Sequence, residues 1–502
     1  MATGRQGYLV IRADCNAQIG SGHAMRCLAL GQAWQDEGGQ VAFVMAQTAP
    51  ALQSRLRSED LEIRQLRVAP GSLEDARETG QLADKLQARW IVADGYQFGA
   101  AYQRRLKDYG GRLLLIDDYA HAEHYSADLV LNQNLQAHPD LYPHKEPDTR
   151  LLLGTRYTLL RREFLSWHNW QREIPSAATR ILVTMGGSDP DNVTLKVLKA
   201  LNLVDLAPLE VAVIVGAANP YHEELAAEIR HSRHMVRLLK NVNNMPELMA
   251  WADSAVTAGG TTRWELAYMG LPGLLIILAE NQQAVAEKLA EKGAAVNLGW
   301  HAKVSAANIA QDLTRLLKDP VLRAELSQKG RRLVDGHGAA RVLMHLKNSR
   351  IRLRPVESDD VFLLWEWAND PLTRQSSLSP NHIVWEKHNI WFQQKLTDPN
   401  CHFFIALDEN DSPVGQVRFE ITDNEAEIHL SIAKGHRGQS LGSGLIDLGT
   451  DRIFRLTDIN RINAYIKPNN VASLKAFSKA NYHHRGNKKI HYHHVLHYIR
   501  TK

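Results

Sequence analysis

A histidine stands at the end of a glycine turn near the start of the chain, in the segment Gly20-Ser21-Gly22-His23. The turn follows a strand-like segment and begins a helical one, where free N–H groups and the positive end of the helix dipole favour an anion. An imidazole that titrates near neutral pH can deprotonate water there, although a polar residue at a helix start is the alternative interpretation. Met25 replaces the third glycine of a dinucleotide-binding turn, and the second strand ends in Ala46-Gln47-Thr48 rather than an acid, which argues against NAD.

Two further turns in the middle of the chain combine glycine pairs with hydroxyl groups. They are Met185-Gly-Gly-Ser-Asp189 and Ala258-Gly-Gly-Thr-Thr-Arg-Trp-Glu265. Small residues allow close approach of a ligand, hydroxyl and N–H groups suit a diphosphate, and a carboxylate can accept hydrogen bonds from both ribose hydroxyls. Glu280-Asn-Gln-Gln283 follows a later strand and is interpreted either as a sugar or phosphate contact or as a polar helix start.

The C-terminal part contains a turn of the form Q-x-x-G-x-G, from Gln439 to Gly444, between a strand-like segment and an apolar helix. Glu427 and His429 alternate on one face of that strand, where either can accept a proton through water or simply form a polar sheet face. Six histidines between 483 and 497 follow a period of two, which favours a polar-faced strand over a zinc site. With no HExxH or clustered Asp motif, we expect no metal.

Apolar strands that alternate with helices must position these turns. Such strands begin at Tyr8, Val41, Trp90, Arg112 and Leu129, and again at Arg180, Glu210, Ser254 and Gly273. Two such series indicate two parallel sheets covered on both faces. The segment from Leu160 to Pro175 lies between the two series as a candidate hinge. After Ile351 the strands alternate polar and apolar residues, as antiparallel sheets do. We therefore predict an α/β protein with two Rossmann-like domains and a third α+β domain, with the boundaries 1–170, 171–349 and 350–502.

The composition is that of a globular protein. A length of 502 residues corresponds to about three domains. Lys and Arg total 59 against 55 Asp and Glu, and this near balance argues against a nucleic-acid partner. The longest apolar run, Leu274–Ala279, is far shorter than the ~20 residues that span a bilayer. With no signal-peptide pattern and three cysteines in no disulfide arrangement, we expect a cytoplasmic protein without a membrane partner. The sequence does not fix the oligomeric state.

The segment Ile11–Leu30 resembles the opening signature of the UDP-sugar hydrolases of pseudaminic acid biosynthesis, which cleave UDP-2,4-diacetamido-2,4,6-trideoxy-β-L-altropyranose. That family is similar in fold to two-domain GT-B glycosyltransferases such as MurG, and the resemblance extends to about residue 345. It implies that His23 is the general base, with Asp14, Asp94 and Tyr96 in the same cleft, and with Asp117-Asp118 there or merely capping a helix. The UDP-sugar residues that it implies are Gly20, Gly22, Gly187, Ser188, Thr261, Thr262, Glu265, Asn281 and Gln282.

The Q-x-x-G-x-G turn resembles the pyrophosphate loop of GNAT acetyltransferases, in which successive backbone N–H groups hold the diphosphate of acetyl-CoA. The acetyl-CoA residues that this resemblance implies are Ile432, Arg437, Gly438, Gln439, Leu441, Gly442, Ser443, Gly444 and Asn470. Phe477 occupies the position of the usual general-acid tyrosine, so the proton donor is left open between Tyr482 and an ordered water. Glu427 and His429 are the candidate general bases. The segment Trp365–Pro371 resembles acetyltransferases that act on UDP-4-amino-4,6-dideoxy-β-L-AltNAc, but also those that act on ribosomal protein N-termini.

These resemblances predict a bifunctional enzyme with acetyl-CoA as co-substrate. The C-terminal domain would acetylate the 4-amine of a UDP-linked amino sugar, and the preceding pair of domains would hydrolyse UDP from the product by attack of water at C1. One alternative is a GT-B glycosyltransferase whose GNAT domain acts on another UDP-amino sugar or on a protein N-terminus. A second alternative is a catalytically inactive sugar-nucleotide sensor.

Overall fold

The chain forms two compact units, Met1–Val342 and Leu343–Lys502. The structure, a computed structural model, describes residues 7–16, 20–187, 189–206, 208–216, 219–240, 242–348, 351–408, 411–438, 441–490 and 492–502. Within these ranges, every helix is too short or too polar to span a membrane.

The first half of the first unit contains a parallel sheet of seven strands in the order β3-β2-β1-β4-β5-β6-β7. The strands are β1 (Tyr8–Ala13), β2 (Gln40–Met45), β3 (Glu62–Gln65), β4 (Trp90–Asp94), β5 (Arg112–Ile116), β6 (Leu129–Asn132) and β7 (Arg150–Leu153). The helices are α1 (Gly22–Asp36), α2 (Pro50–Arg57), α3 (Leu73–Lys85), α4 (Ala100–Lys107) and α5 (Arg162–Leu165). The inner strands are almost wholly buried because helices cover both faces of the sheet.

The second half of the first unit contains a parallel sheet of six strands in the order β10-β9-β8-β11-β12-β13. The strands are β8 (Arg180–Thr184), β9 (Glu210–Val215), β10 (Met235–Lys240), β11 (Ser254–Ala258), β12 (Gly273–Ile277) and β13 (Val296–Trp300). The helices are α6 (Val193–Leu203), α7 (His222–Arg230), α8 (Met245–Trp251), α9 (Thr262–Met269), α10 (Gln283–Glu291), α11 (Ala306–Lys318), α12 (Pro320–Arg331) and α13 (Gly338–Asn348), the last of which crosses the boundary between the units. Two hydrophobic clusters pack on the two faces of this sheet.

Both parallel sheets reverse their strand order beside their first strand. β1 lies between β2 and β4, and β8 lies between β9 and β11. In open α/β sheets, a ligand crevice forms at the carboxyl ends of the strands where the order reverses. The turns after β1, β4, β8 and β11 are therefore the ones that the fold brings to a ligand.

The second unit contains a mixed sheet of seven strands in the order β14-β15-β16-β17-β18-β20-β19. The strands are β14 (Arg352–Pro355), β15 (Cys401–Leu407), β16 (Pro413–Thr422), β17 (Glu425–Ile432), β18 (Arg461–Ile466), β19 (His483–Ile490) and β20 (His493–Thr501). The helices are α14 (Val361–Asn369), α15 (Pro371–Ser376), α16 (Trp385–Thr397), α17 (Leu441–Leu456) and α18 (Val471–Lys479). The neighbouring strands pair antiparallel except for β17 and β18, which are parallel. The predicted class, a pair of Rossmann-like α/β domains followed by an α+β domain, is confirmed.

Candidate functional sites

A cleft of about 990 Å³ lies between the two halves of the first unit, at the carboxyl ends of both parallel sheets. His23 and Tyr96 line it from the first half. The UDP-sugar residues predicted from the sequence that line it are Gly20, Gly22, Gly187, Thr261, Thr262, Glu265, Asn281 and Gln282. Ser188 lies outside the described residues. The fold thus gathers residues from the turns after β1, β4, β8, β11 and β12 around one space.

His23, in the first turn of α1, is fixed by a buried carboxylate at the end of β4. Its Nδ1 lies 2.5 Å from Oδ1 of Asp94. Arg26, one helical turn further on, donates from Nε and Nη2 to the two oxygens of Asp94, each at 2.7 Å. Burial alone would raise the pKa of Asp94, but Arg26 and His23 outweigh it and hold that pKa well below its usual range. Since an ionised Asp94 accepts the proton on Nδ1, Nε2 of His23 remains as the basic nitrogen.

A second carboxylate, Asp118, connects Arg26 to Tyr96, which lines the cleft. Arg26 Nη1 and the Tyr96 hydroxyl donate to Asp118, each at 2.8 Å. Asn281, from the opposite half, donates to the Tyr96 hydroxyl at 2.6 Å. Burial and the Asp118 charge raise the pKa of Tyr96, so its phenol stays protonated. Tyr96 and Asn281 therefore bridge the two halves directly beside His23.

Two helix starts meet at the cleft. α1 and α9 begin without a side-chain cap among the described residues, and a Cβ on Gly22 would lie 3.5 Å from Oγ1 of Thr261. Asp189, in contrast, already caps α6 through hydrogen bonds from the N–H groups of Val193 and Thr194. The starts of α1 and α9 therefore leave backbone N–H groups from which an anion in the cleft can accept hydrogen bonds.

The turns after β8 and β9 pack closely against each other through Gly187 and Gly216. A Cβ on Gly216, which follows β9, would lie 1.9 Å from the carbonyl oxygen of Gly187. A Cβ on Gly187 would in turn approach Oγ of Ser21 at 3.0 Å. The turn after β8 is thus confined between β9 and the first half of the unit.

Glu265 is buried in the first turn of α9 and already has a partner. Arg161, in the segment that connects the two halves, lies with Nη1 2.9 Å from Oε1 of Glu265 and with Nε 2.6 Å from Glu163. Burial raises the pKa of Glu265, and Arg161 opposes that rise. Arg161 thus favours the ionised form that a ribose hydroxyl would need as acceptor.

Asp14 and Asp117 lie in other networks. Asp14 accepts from the buried Arg12 at 2.8 Å and from the N–H groups of Ala46 and Gln47, and it does not line the cleft. Asp117 accepts from Tyr125 and from the N–H group of its neighbour Asp118. These contacts describe carboxylates that fix strand ends and turns.

Sequence reasoning missed Arg26, Arg161 and Arg263. Arg26 had a signal, since a residue three positions after His23 shares its helix face. Buried Arg263 donates to Oδ1 of Asn134 at 2.6 Å, and Asn134 donates to Asp118 at 2.8 Å. Burial lowers the pKa of Arg263 to about 10. The contacts of Arg161 and Arg263 join segments far apart in the sequence, and no local pattern indicates them.

In the second unit, β17 and β18 separate after a short paired stretch. Their pairing covers only Glu425–Glu427 against Arg461–Asn463, although both strands continue. The separated ends, Ile428–Ile432 and Ala464–Ile466, leave backbone groups between the strands for the amides of an extended ligand. The turn that follows leads to α17.

The turn after β17 is held from both sides. Arg437 donates to the Ile432 carbonyl at 3.0 Å and pairs with Asp370 at 2.7 Å. Gly438 adopts a φ of +77°, which favours glycine. Leu441, Gly442, Ser443 and Gly444 form the first turn of α17, whereas Gln439 lies outside the described residues. A cavity of about 460 Å³ lies against this turn and α14.

Glu427 and His429 share one face of β17, with His429 Nε2 3.3 Å from Oε1 of Glu427. Burial and the Arg418 guanidinium lower the pKa of His429 to about 4. Burial and the nearby Glu420 raise the pKa of Glu427. At neutral pH the face therefore presents a neutral imidazole beside a carboxylate with increased proton affinity.

Two other predicted residues of this unit have structural partners. Tyr482 is buried in the core, where its hydroxyl lies 2.8 Å from Oγ1 of Thr450. Asn470 caps α18 by accepting from the N–H group of Ser473 at 3.1 Å. The Tyr482 hydroxyl therefore already has a hydrogen-bond partner in the core.

The C-terminal histidines lie on the β19–β20 hairpin rather than in a cluster. His483 and His484 are exposed, whereas His497 is buried with Nε2 2.8 Å from Oδ1 of Asn463. His491 lies outside the described residues. In the part of the chain that the structure describes, no three His, Cys, Asp or Glu residues are grouped to hold a metal ion.

Two family models match the chain. Residues 180–337 match the glycosyltransferase family 28 C-terminal domain, and residues 350–483 match the acetyltransferase (GNAT) domain. The second parallel sheet thus lies in a region similar to the family 28 C-terminal domain, and most of the mixed sheet lies in a region similar to the GNAT domain.

Two curated proteins and one solved structure are similar to parts of this chain. The spore coat polysaccharide biosynthesis protein SpsG of Bacillus subtilis (strain 168) is 32% identical over 202 residues, which cover 40% of this chain and 59% of that protein. A pseudaminic acid cytidylyltransferase and UDP-2,4-diacetamido-2,4,6-trideoxy-beta-L-altropyranose hydrolase of Helicobacter pylori is 24% identical over 229 residues, 45% of this chain and 40% of that protein. The chain therefore spans less than two thirds of either relative. The crystal structure of MurG from Acinetobacter baumannii aligns with a TM-score of 0.48 and 18% identity over 68% of this chain and 99% of that chain.

Proposed function

We propose that the chain is a bifunctional enzyme of UDP-amino-sugar metabolism, with pseudaminic acid biosynthesis as the pathway. Residues 350–502 acetylate the 4-amine of a UDP-4-amino sugar. Residues 1–170, with the base, and 171–349, with the UDP site, then hydrolyse the product, UDP-2,4-diacetamido-2,4,6-trideoxy-β-L-altropyranose. The observation that carries the hydrolase proposal is His23, fixed by Asp94 and opening onto a cleft whose other wall carries the predicted UDP residues.

In the hydrolysis step, Nε2 of His23 removes a proton from a water molecule as its oxygen attacks C1 of the sugar. The C1–O bond breaks, its electron pair leaves with the β-phosphate of UDP, and the anomeric centre inverts. The N–H groups at the start of α9 and the hydroxyls of Thr261 and Thr262 stabilise the departing charge. Glu265 accepts from the ribose hydroxyls. Apart from water and the UDP-sugar, the step uses only groups of this chain.

In the acetylation step, acetyl-CoA lies in the gap between β17 and β18, with its diphosphate at the start of α17. Support comes from the GNAT match, from the unpaired strand ends, and from the positive φ of Gly438. Glu427 accepts the proton of the 4-ammonium through water, and the free amine attacks the thioester carbonyl. The C–S bond then breaks with its electron pair on the CoA sulfur, and the thiolate takes up through water the proton that the acylated nitrogen loses. His429, with its low pKa, is neutral and serves as a hydrogen-bond partner of Glu427.

A glycosyltransferase is the second candidate, and the family 28 match favours it. Such an enzyme would pass the sugar to an acceptor hydroxyl, with His23 as the base for that hydroxyl. The two candidates differ in whether water suffices as nucleophile.

One mass-spectrometric time course tests the proposal. The intact protein is incubated with acetyl-CoA and the UDP-4-amino sugar, without any other acceptor. We expect the acetylated UDP-sugar first, and then UDP and the free 2,4-diacetamido sugar. Acetylation without UDP release would contradict the hydrolase and favour the glycosyltransferase.

A further inference from the structure

Tyr119 presents an exposed aromatic ring to the cleft, two ring contacts away from the candidate base. It is 46% exposed and lines the cleft. Its ring centroid lies 4.9 Å from that of Tyr96, which lies 5.0 Å from that of His23. Tyr96 thus contacts both the candidate base and the exposed ring.

Apolar and polar side chains line the cleft from both halves of the unit. Met25, Leu52 and Leu141 line it from the same half as Tyr119, and Leu141 is 38% exposed. The turns after β11 and β12 supply hydroxyls, carboxylates and amides from the other half. Because UDP carries charge and many hydrogen-bonding groups, it matches these two turns. The sugar then lies toward the half that carries His23 and Tyr119.

The position of the reacting carbon fixes which part of the sugar reaches Tyr119. C1 must lie beside His23, where the water is activated, and C4 lies across the pyranose ring from C1. A sugar that extends from His23 past Tyr96 directs its C4 substituent toward Tyr119. In the product of acetylation, that substituent is an acetamido group, which ends in a methyl group.

We propose that Tyr119 is a specificity-determining residue that packs against the 4-acetamido methyl group, so that the cleft selects the acetylated UDP-sugar over its 4-amino precursor. This inference rests on the proposed function. A hydrophobic contact of one methyl group discriminates substrates by about 10-fold or more. Because the cleft then hydrolyses the 4-amino precursor slowly, acetylation precedes hydrolysis.

The charged groups around Tyr119 do not themselves select the acetylated sugar. Burial and the carboxylates of Asp117, Asp118 and Glu280 raise the pKa of Tyr119, so the ring is a neutral phenol. Glu280 also lines the cleft and can accept from an acetamide N–H or pair with an ammonium. Because an ammonium binds this carboxylate more strongly than an acetamide N–H does, Glu280 opposes the selection, and the contact of the methyl group with the ring has to outweigh it.

The test compares kcat/KM for UDP release from the 4-acetamido and the 4-amino UDP-sugar, in wild-type protein, Tyr119→Ala and Tyr119→Phe. We expect the wild type to prefer the acetamido sugar. Tyr119→Ala should lower the ratio of the two kcat/KM values by about 10-fold or more, and Tyr119→Phe, which keeps the ring, should retain it. The Kd for UDP alone, measured by calorimetry, should be the same in all three proteins.

The outcomes separate this inference from the proposed function. UDP release by the wild type with equal kcat/KM for both sugars, or an unchanged ratio in Tyr119→Ala, would overturn the role of Tyr119 while the hydrolase stands. A preference for the 4-amino sugar would mean that Glu280 recognises an ammonium, which also overturns it. Absence of UDP release from both sugars would overturn the proposed function, and this inference with it.

Discussion

At the scale of residues, Arg26 controls which ring nitrogen of His23 carries the proton, although Arg26 itself does not line the cleft. It binds both oxygens of Asp94 and one oxygen of Asp118. Since its guanidinium keeps both carboxylates ionised when buried, Asp94 holds the Nδ1 proton of His23 across the neutral range. The lone pair of Nε2 is then the one that can accept a proton from water.

The first prediction concerns the tautomer of His23. In Asp94→Asn, the amide can donate to Nδ1 and move the ring proton to Nε2, which removes the base. We expect UDP release to fall by roughly 100- to 10,000-fold, as in His23→Ala. The rate of UDP release is the measurement, and the acetyl-transfer rate of the same samples is the control. Retention of more than a tenth of the wild-type rate in Asp94→Asn would argue against His23 as the base.

The second prediction concerns Arg161 and the pH dependence of UDP binding. The charged groups that face Glu265 are Arg161 and Glu163, and burial has already raised the pKa of Glu265. Replacing Arg161 with Gln removes the positive charge, so that pKa rises further. Because only the ionised carboxylate accepts from both ribose hydroxyls, the affinity for UDP should fall as the pH decreases through the raised pKa and recover above it.

Calorimetric Kd values for UDP between about pH 8.5 and about pH 5.5 test this prediction. The weakening toward low pH should be steeper in Arg161→Gln than in the wild type. Arg162→Gln is a matched control, because Arg162 pairs with Asp36 and Glu59 instead. Parallel pH profiles for wild type and Arg161→Gln would contradict the role of Arg161.

At the scale of elements, the sequence predicts the inner strands of the parallel sheets and misses their edges. The nine inner strands β1, β2, β4, β5, β6, β8, β9, β11 and β12 are continuous apolar runs, because helices bury both of their faces. The missed strands β3, β7, β10 and β13 are the edges of the two sheets. Glu62–Gln65 is polar and Met235–Lys240 is partly exposed, so neither shows a buried run.

The glycine turns were predictable for the same local reason, since each one directly follows a strand and precedes a helix. The contacts that complete the cleft were not predictable from the sequence. The pairing of Arg161 with Glu265 and the bridge between Tyr96 and Asn281 depend on how two sheets face each other. Periodicity describes which side of an element is buried, but not which distant side chain lies against it.

The third prediction concerns the start of α17. A Cβ on Gly442 would lie 3.7 Å from Cβ of Ala476 in α18, which is ordinary contact. Gly442→Ala should therefore bind acetyl-CoA as the wild type does. In Gly442→Trp, the indole has to displace α18 or enter the diphosphate turn, so acetyl transfer should fall by at least about 100-fold while UDP release persists. Equal acetyl-transfer rates for the two variants would argue against a diphosphate at this turn.

At the scale of the whole molecule, the two candidate activities lie in separate compact units with separate cores. The clusters beneath the parallel sheets contain only residues before 343, and the cluster beneath the mixed sheet contains only residues after it. The two family matches end at 337 and begin at 350, on either side of the same boundary. Damage to one site should therefore leave the other unit folded, since stability is shared mainly within one core.

The last prediction uses this independence to ask whether the intermediate leaves the protein. His23→Ala alone should convert the UDP-4-amino sugar into the acetylated UDP-sugar and stop there. Gly442→Trp alone should hydrolyse added acetylated UDP-sugar but leave the 4-amino sugar unacetylated. An equimolar mixture of the two should complete the sequence, because a UDP-sugar released by one molecule diffuses to the other.

The time courses of intermediate and free sugar are followed by mass spectrometry. If the mixture matches the wild type at equal site concentration in both rate and lag, direct transfer within one molecule is excluded. If the intermediate accumulates only in the mixture, the wild-type chain passes it on locally. No free sugar from the mixture would contradict the assignment of one activity to each unit.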